Sequence, residues 1–351
     1  MSTTIAVLLL AAIAAYAVFG GADFGAGFWD LVAGGAQRGE RPRDVIDHAI
    51  GPVWEANHVW LIFCFVVLWT GFPEAYESIT LTLFVPLSIA AFGIVLRGAS
   101  FAFRKTLFRT RDRRNFGAAF ALSSVLVPYC MGSVAGAVAS GRVPAGGQAG
   151  DTWSSWLNPT SVFGGGLAIV VAAYLAAVYL VSDARRLSDD AMVEYFRRRA
   201  VGAAVVAGVA SIVGIFVLRS DADYLFDELM GKALSCVIVA GVCGTASLVL
   251  LIRSARRGAR ALAAGAVASI IAGWGVAQWP YILPESLKVS AAAAPSDTLI
   301  TLLVAAIGAV LIVVPGFVLL YALDQRSMLP EEGVAAHPAP PQPATDRGAV
   351  R

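Results

Sequence analysis

Nine long apolar runs limit what this chain can fold into more than any other feature of its sequence. Of its 351 residues, 58% are hydrophobic and 14% are charged, whereas about 25% are charged in a typical soluble domain. So few charges cannot solvate a surface of this size, and a helix of about 20 apolar residues crosses the hydrocarbon core of a bilayer. The sequence therefore predicts an all-α, polytopic membrane helical bundle of about nine transmembrane helices. The expected spans are Ile5–Val32, Val53–Phe72, Ser78–Leu96, Phe116–Ala139, Thr160–Ser182, Val201–Leu218, Lys232–Ile252, Ala259–Trp279 and Leu299–Leu323.

The distribution of Lys and Arg predicts the orientation of these spans. Nineteen of the 26 fall in the first, third, fifth and seventh loops, at 38–43, 97–114, 185–199 and 253–260, and four fall in the other loops. Cytoplasmic loops carry such an excess, so we expect the amino terminus outside and the carboxyl terminus in the cytoplasm. Residues 1–327 are expected to form one transmembrane domain, and the Pro- and Ala-rich residues 328–351 a disordered cytoplasmic tail. A net charge of +2 gives no indication of nucleic acid as a partner.

Asp23 lies within the first apolar run, where a charged side chain is unfavourable. By helical spacing it shares a face with Tyr16, Gly20, Gly27 and Asp30. A carboxylate in hydrocarbon costs on the order of 2.5–3.5 kcal/mol on insertion scales, so Asp23 should be paired, hydrated or neutral. An Asp that only fixes helix packing remains an open alternative. The glycine pair at 21 and 25 on the opposite face suits close packing of a second helix.

The second span opens with a polar turn. From Val59 to Thr70 a helix covers only about 18 Å, so the preceding turn, which carries Glu55, Asn57 and His58, should lie below the lipid headgroups. Glu55 and His58 are three residues apart and therefore adjacent on a helix.

The predicted topology places this turn and Asp23 at a similar depth, near the cytoplasmic face. Asp23 comes about 27 Å along a helix that enters from outside, and the second span leaves the cytoplasm just before Glu55. Two acids and an imidazole at this level have the composition of a proton entrance.

Haem or metal binding by this chain has little support in its sequence. Its histidines are His48, His58 and His337, and of these only His58 is expected within the bilayer, so a two-histidine haem site is not predicted. No cluster with metal-ligand spacing occurs. The four cysteines fall within apolar runs without a C-x-x-C pattern, as buried apolar side chains do.

The polar turn also carries a family resemblance. The block Gly51-Pro-x-Trp54-Glu55-x-Asn57-x-Val59-Trp60-Leu61, preceded by Asp23-Phe-Gly, resembles the second subunit of bacterial cytochrome bd-type quinol oxidases. Further similarity lies at Arg97 and Arg104 after the third span, at Trp279-Pro-Tyr-Ile-Leu-Pro284 after the eighth, and in the number of spans.

The resemblance implies a heterodimer in the bacterial cell membrane. Its first subunit would hold b-type and d-type haems and oxidise quinol at the outer side, with dioxygen as the second substrate, and this chain would bind no haem. Small accessory membrane subunits, membrane lipids and a structural quinone or lipid are further partners that the resemblance leaves open.

On this reading the chain has a role in proton transfer. Glu55, with His58 and water, would relay cytoplasmic protons toward the haem of the partner, and Asp23 would hold or extend that pathway. Trp54, Asn57, Trp60 and Arg97 would support the site. Two alternatives remain open: a non-catalytic assembly scaffold, and a proton-coupled secondary transporter, which usually shows internal repeats and broken helices that are not evident here.

Overall fold

The structure, a computed structural model, describes residues 1–35, 37–106 and 110–325. Some helical residues are described by their backbone alone: 50–56, 101–102, 104–106, 110–115, 314, 317, 320–322 and 324–325. The tail predicted at 328–351 also lies outside the described residues.

The described chain is a bundle of helices with one short hairpin. Its helices are α1 (Ser2–Leu31), α2 (Glu40–Gly71), α3 (Pro73–Thr82), α4 (Phe84–Thr106), α5 (Thr110–Ala139), α6 (Pro159–Arg186), α7 (Asp190–Asp221), α8 (Asp223–Met230), α9 (Leu234–Ile252), α10 (Ala259–Gln278), α11 (Val289–Ala292) and α12 (Ser296–Gln325). The hairpin consists of β1 (Tyr281–Leu283) and β2 (Leu287–Lys288), which pair antiparallel.

The helices have the length and apolar character that a membrane requires. Among the described residues, seven are long and apolar enough to span a bilayer. An eighth span results if the pair Asn57–Gly71 and Pro73–Thr82, bent by 119°, is counted as one. The multi-pass helical fold is thus confirmed, whereas the count of nine and the orientation of the termini remain predictions.

The third predicted span is wrong in one respect, because it is broken. The sequence predicts one helix over Ser78–Leu96, but α3 ends at Thr82 and α4 begins at Phe84. Pro86 explains the break, since a proline has no N–H to donate to the carbonyl four residues earlier, here that of Thr82, and its ring clashes with that carbonyl.

Helix α3 holds a glycine-rich loop between α5 and α6. Glu74, Ser78 and Thr82, spaced four residues apart on one face of α3, accept hydrogen bonds of 3.0, 3.2 and 3.0 Å from backbone amides at 146–150. This loop therefore has its backbone polar groups satisfied by a neighbouring helix.

Helix α6 lies at the centre of the bundle, and α1 packs against it. In an apolar 18-residue stretch of α6, 56% is buried inside the protein, against 6% in the corresponding stretch of α7. The small face of α1 makes the contact: a Cβ on Gly25 would overlap the carbonyl of Ala172, and one on Gly21 would come within 2.7 Å of Leu175. The predicted packing role of these two glycines is confirmed.

Candidate functional site

Asp23 and Arg97 form a buried ion pair between α1 and α4. Arg97 Nη2 donates to Asp23 Oδ1 at 2.8 Å and Nη1 donates to Oδ2 at 3.0 Å, which is a bidentate geometry. Nη2 also donates to the Asp23 carbonyl at 3.0 Å. The two residues are 1% and 0% exposed. Asp23 is thus paired, and pairing is one of the three states, with hydration and neutralisation, that are expected of a carboxylate at this depth.

The surroundings of Arg97 complete its contacts. Its Nε donates to Ser124 Oγ of α5 at 3.0 Å, and the guanidinium carbon lies 4.8 Å from the ring centre of Phe24 and 4.5 Å from that of Phe120. Aromatic rings at this distance stabilise a desolvated cation. The sequence counted Arg97 with a cytoplasmic loop; the structure corrects this, because Arg97 lies inside α4 and is fully buried.

Asn57 of α2 contacts the same carboxylate. Its Nδ2 donates to Asp23 Oδ2 at 3.2 Å, so the turn of α2 that begins near Glu55 does lie at the level of Asp23. The amide Oδ1 of Asn57 is buried and accepts no hydrogen bond from a described residue. Gly20 makes room for it, since a Cβ at that position would lie 2.8 Å from this oxygen.

The other predicted site residues lie on the same part of α2. His58 follows Asn57, is partly buried, and is close enough to Asp23 to interact with it electrostatically. Trp60 stacks on Phe19 with ring centres 6.5 Å apart and so packs α2 against α1. The side chains of Trp54 and Glu55 lie outside the described residues, although the backbone of α2 places both in the turn that precedes His58.

A second ion pair closes the turn between α1 and α2. Arg43 Nε lies 2.6 Å from Asp30 Oδ1, and its Nη2 donates to the carbonyl of Gly34 at 2.7 Å. Asp30, predicted on the same face as Asp23, is therefore compensated at the end of α1.

Sequence reasoning missed two residues of the site, Ser124 and Phe120. Both lie on α5, four residues apart, and Ser124 Oγ also donates to the Phe120 carbonyl at 2.6 Å. A serine in an apolar helix usually bonds its own backbone in this way, so the sequence contains no signal that it also accepts from an arginine of another helix.

The described residues offer no cation site. Among them, no group of three or more His, Cys, Asp or Glu could hold a metal ion. The four cysteines are free, and Cys130 is buried. The donor set at Asp23, in which a guanidinium already occupies both carboxylate oxygens, does not fit a metal.

Fold and site together define the class: a multi-pass helical membrane protein with a compensated charge cluster buried among its first, second, fourth and fifth helices. Residues 1–323 match the family described as "Cytochrome bd terminal oxidase subunit II". The chain belongs to this family and is a multi-pass bacterial membrane protein. Family membership counts against the secondary-transporter alternative.

Two similar proteins cover most of the chain, and a third covers part of it. A Bacillus subtilis protein with the provisional name cytochrome bd menaquinol oxidase subunit II is 22% identical over 90% of this chain and 94% of its own length. The cytochrome bd-I ubiquinol oxidase subunit 2 of Escherichia coli K12 is 25% identical over 36% of this chain and 32% of its own. A chain in the structure of bd oxidase from Geobacillus thermodenitrificans is 24% identical, with a TM-score of 0.76 over 91% of this chain and 98% of that one; this likeness shows the fold.

Proposed function

We propose that the chain is the haem-free second subunit of a bd-type quinol:oxygen oxidoreductase. It supports a haem-bearing first subunit and conducts cytoplasmic protons toward the site where dioxygen is reduced. The family match over residues 1–323 supports the assembly. The buried polar cluster around Asp23 supports the proton role, because ionisable groups at membrane depth mark ion and proton pathways by default.

Within this cluster the contacts favour different roles for the two acids. Asp23 accepts two hydrogen bonds from Arg97 and one from Asn57, so a proton on its carboxylate would disrupt the ion pair. We assign Asp23 as a positioning residue that holds Asn57 and the following His58 against α1. This chooses between the two roles that the sequence left open for Asp23.

Glu55 remains the acid that we assign to proton transfer. It occupies the turn of α2 directly before Asn57 and His58. The buried Oδ1 of Asn57, which accepts from no described residue, can accept a hydrogen bond from a water molecule of such a pathway. Proton uptake here would charge the membrane, since reduction of dioxygen consumes protons while quinol oxidation outside releases them.

The observation that carries this proposal is the direct hydrogen bond between Asn57 and Asp23. It joins the polar turn of α2 to the buried Asp23–Arg97 pair, and so brings the ionisable groups of α1, α2 and α4 together. The scaffold alternative is favoured by the Asp23–Arg97 pair itself, since a fully compensated ion pair can serve helix packing alone.

Glu55→Gln in the complex co-purified with its first subunit tests the proposal. General acid–base groups contribute typically 10²–10⁴-fold, so we expect oxygen consumption and proton uptake to fall at least about 100-fold while haem content per complex stays normal. Glu77→Gln on α3, an exposed acid away from the cluster, is the matched control and should leave both rates unchanged.

The readouts separate the alternatives. Loss of haem together with activity in Glu55→Gln would favour the scaffold, because assembly itself then depends on the acid. Normal haem content with unchanged oxygen consumption and proton uptake would contradict the proton pathway.

A further inference from the structure

A half-open pocket of about 280 Å³ lies where α6 and α9 end and α10 begins. Its floor is apolar and includes Val178 and Val181 of α6 and Leu251 of α9. Five arginines line it: Arg185, Arg197, Arg256, Arg257 and Arg260. Neither the proposed proton pathway nor the helix packing uses this combination of an apolar floor and a cationic rim.

Two of the five arginines have acidic neighbours. Arg197 Nε lies 2.7 Å from Glu194 Oε2, and the same carboxylate also pairs with Arg198. Arg260 is 3.9 Å from Asp183, and Asp183 also pairs with Arg186 at 3.4 Å. Each acid is thus shared between two arginines, so these contacts leave part of the charge uncompensated.

The other three arginines have no carboxylate within 4.0 Å among the described residues. Arg185 donates to the backbone carbonyl of Ala255 at 2.8 Å, which positions its guanidinium at the rim. Because a carbonyl is neutral, this hydrogen bond does not neutralise the charge of Arg185. Arg256 and Arg257 are exposed in the loop between α9 and α10. The rim therefore has an excess of positive charge that an anion would compensate.

The first turn of α10 adds to this preference for an anion. The helix begins at Ala259, after Gly258 in a left-handed conformation with φ of 98°, and residues 259–261 line the pocket. The first amides of a helix have no acceptor within the helix, and its amino terminus carries a partial positive charge. A phosphate group fits both the amides and the guanidinium groups.

The apolar side of the pocket indicates a lipid rather than a soluble phosphate compound. Next to Leu251 in the sequence, Val249 and Ile252 of α9 are 38% and 56% exposed, and Val205 of α7 is 49% exposed. Apolar side chains with this exposure on a membrane-spanning helix are suited to contact acyl chains. Basic pockets between helices at the cytoplasmic side are a known way to bind anionic headgroups.

We propose that this pocket binds the phosphate headgroup of an anionic phospholipid, with the acyl chains along the exposed flank of α7 and α9. The proposal rests on the membrane fold and not on the proton pathway, so either can fail without the other.

The test is a lipid titration of the purified two-subunit complex, followed by native mass spectrometry. The probes are phosphatidylglycerol, phosphatidylethanolamine and inorganic phosphate. We compare wild type with Arg256→Gln/Arg257→Gln and with the control Arg38→Gln/Arg253→Gln, which removes the same charge from exposed positions that do not line the pocket.

Each arginine near an anionic lipid contributes roughly fivefold to binding. We therefore expect the pocket variant to bind phosphatidylglycerol roughly 30-fold more weakly, while the control binds as wild type does. The proposal would be overturned if both variants lost phosphatidylglycerol binding equally. It would also be overturned if wild type showed no preference for phosphatidylglycerol over phosphatidylethanolamine. Displacement of the bound lipid by inorganic phosphate alone would overturn the lipid assignment in favour of a soluble phosphate ligand.

Discussion

Removing one partner of the Asp23–Arg97 pair should destabilise the protein more than removing both. Arg97→Gln leaves a carboxylate that is 1% exposed without its two charge-assisted hydrogen bonds. Breaking a buried pair from one side costs about 3–5 kcal/mol, because the remaining charge is uncompensated. Interhelical hydrogen bonds within membranes average only about 0.6 kcal/mol. Since both side chains here are charged and fully buried, we expect the larger figure.

A double-mutant cycle measures this directly. Asp23→Asn and Arg97→Gln should each lower the free energy of unfolding by about 3–5 kcal/mol, and the double variant by no more than either single one, because two neutral amides can bond each other. The coupling energy should then be at least about 3 kcal/mol. The assay is denaturation of the purified complex in mixed micelles, followed by its helical circular dichroism. Additive effects, with coupling below about 0.5 kcal/mol, would refute the view that these charges depend on each other.

Three further predictions concern packing and capping. Gly25→Ala should impair assembly, measured as the yield of folded complex, because its Cβ meets backbone, whereas Gly166→Ala meets nothing within 4 Å and should be neutral. Ser124→Ala removes the acceptor of Arg97 Nε and should lower the free energy of unfolding by about 1–3 kcal/mol. Ser123→Ala, whose hydroxyl donates to the Phe120 carbonyl of the same helix, should lower it less. Asp189→Ala should lower stability in the same assay and Asp189→Asn much less, because the side chain caps α7. The Met192 amide and then Arg41 hold the pKa of Asp189 below its ordinary value, so the charged cap is present at neutral pH and is lost as the pH falls through that lowered pKa.

Local spacing predicted those parts of the site that lie on one helix. The face shared by Tyr16, Gly20 and Asp23 follows from helical periodicity, and so does the opposite face with its two glycines. The common depth of Asp23 and the polar turn of α2 follows from helix rise and topology, and the hydrogen bond to Asn57 bears it out.

Contacts between helices distant in sequence could not be predicted in this way. Arg97 lies 74 residues from Asp23. The family resemblance implied that Arg97 supports the site, but helical spacing gave no indication that it pairs with Asp23. The break after Thr82 was missed for a related reason, since a proline within a membrane helix usually produces only a kink, and whether the chain bends or breaks depends on the tertiary contacts of α3.

The sequence separation of the ion pair also has a consequence for the order of membrane insertion. Helix α1, with Asp23, enters the bilayer as the chain is synthesised, before α4 brings in Arg97. Each charged residue must therefore be tolerated alone for a time, and its cost of about 2.5–3.5 kcal/mol has to be outweighed by the leucines, isoleucines and valines of its own segment. The stretch Val7-Leu-Leu-Leu10 at the start of α1 provides such side chains. The charged site can therefore be completed only after α4 and α5 have joined α1, because Arg97 and Ser124 lie on those two helices.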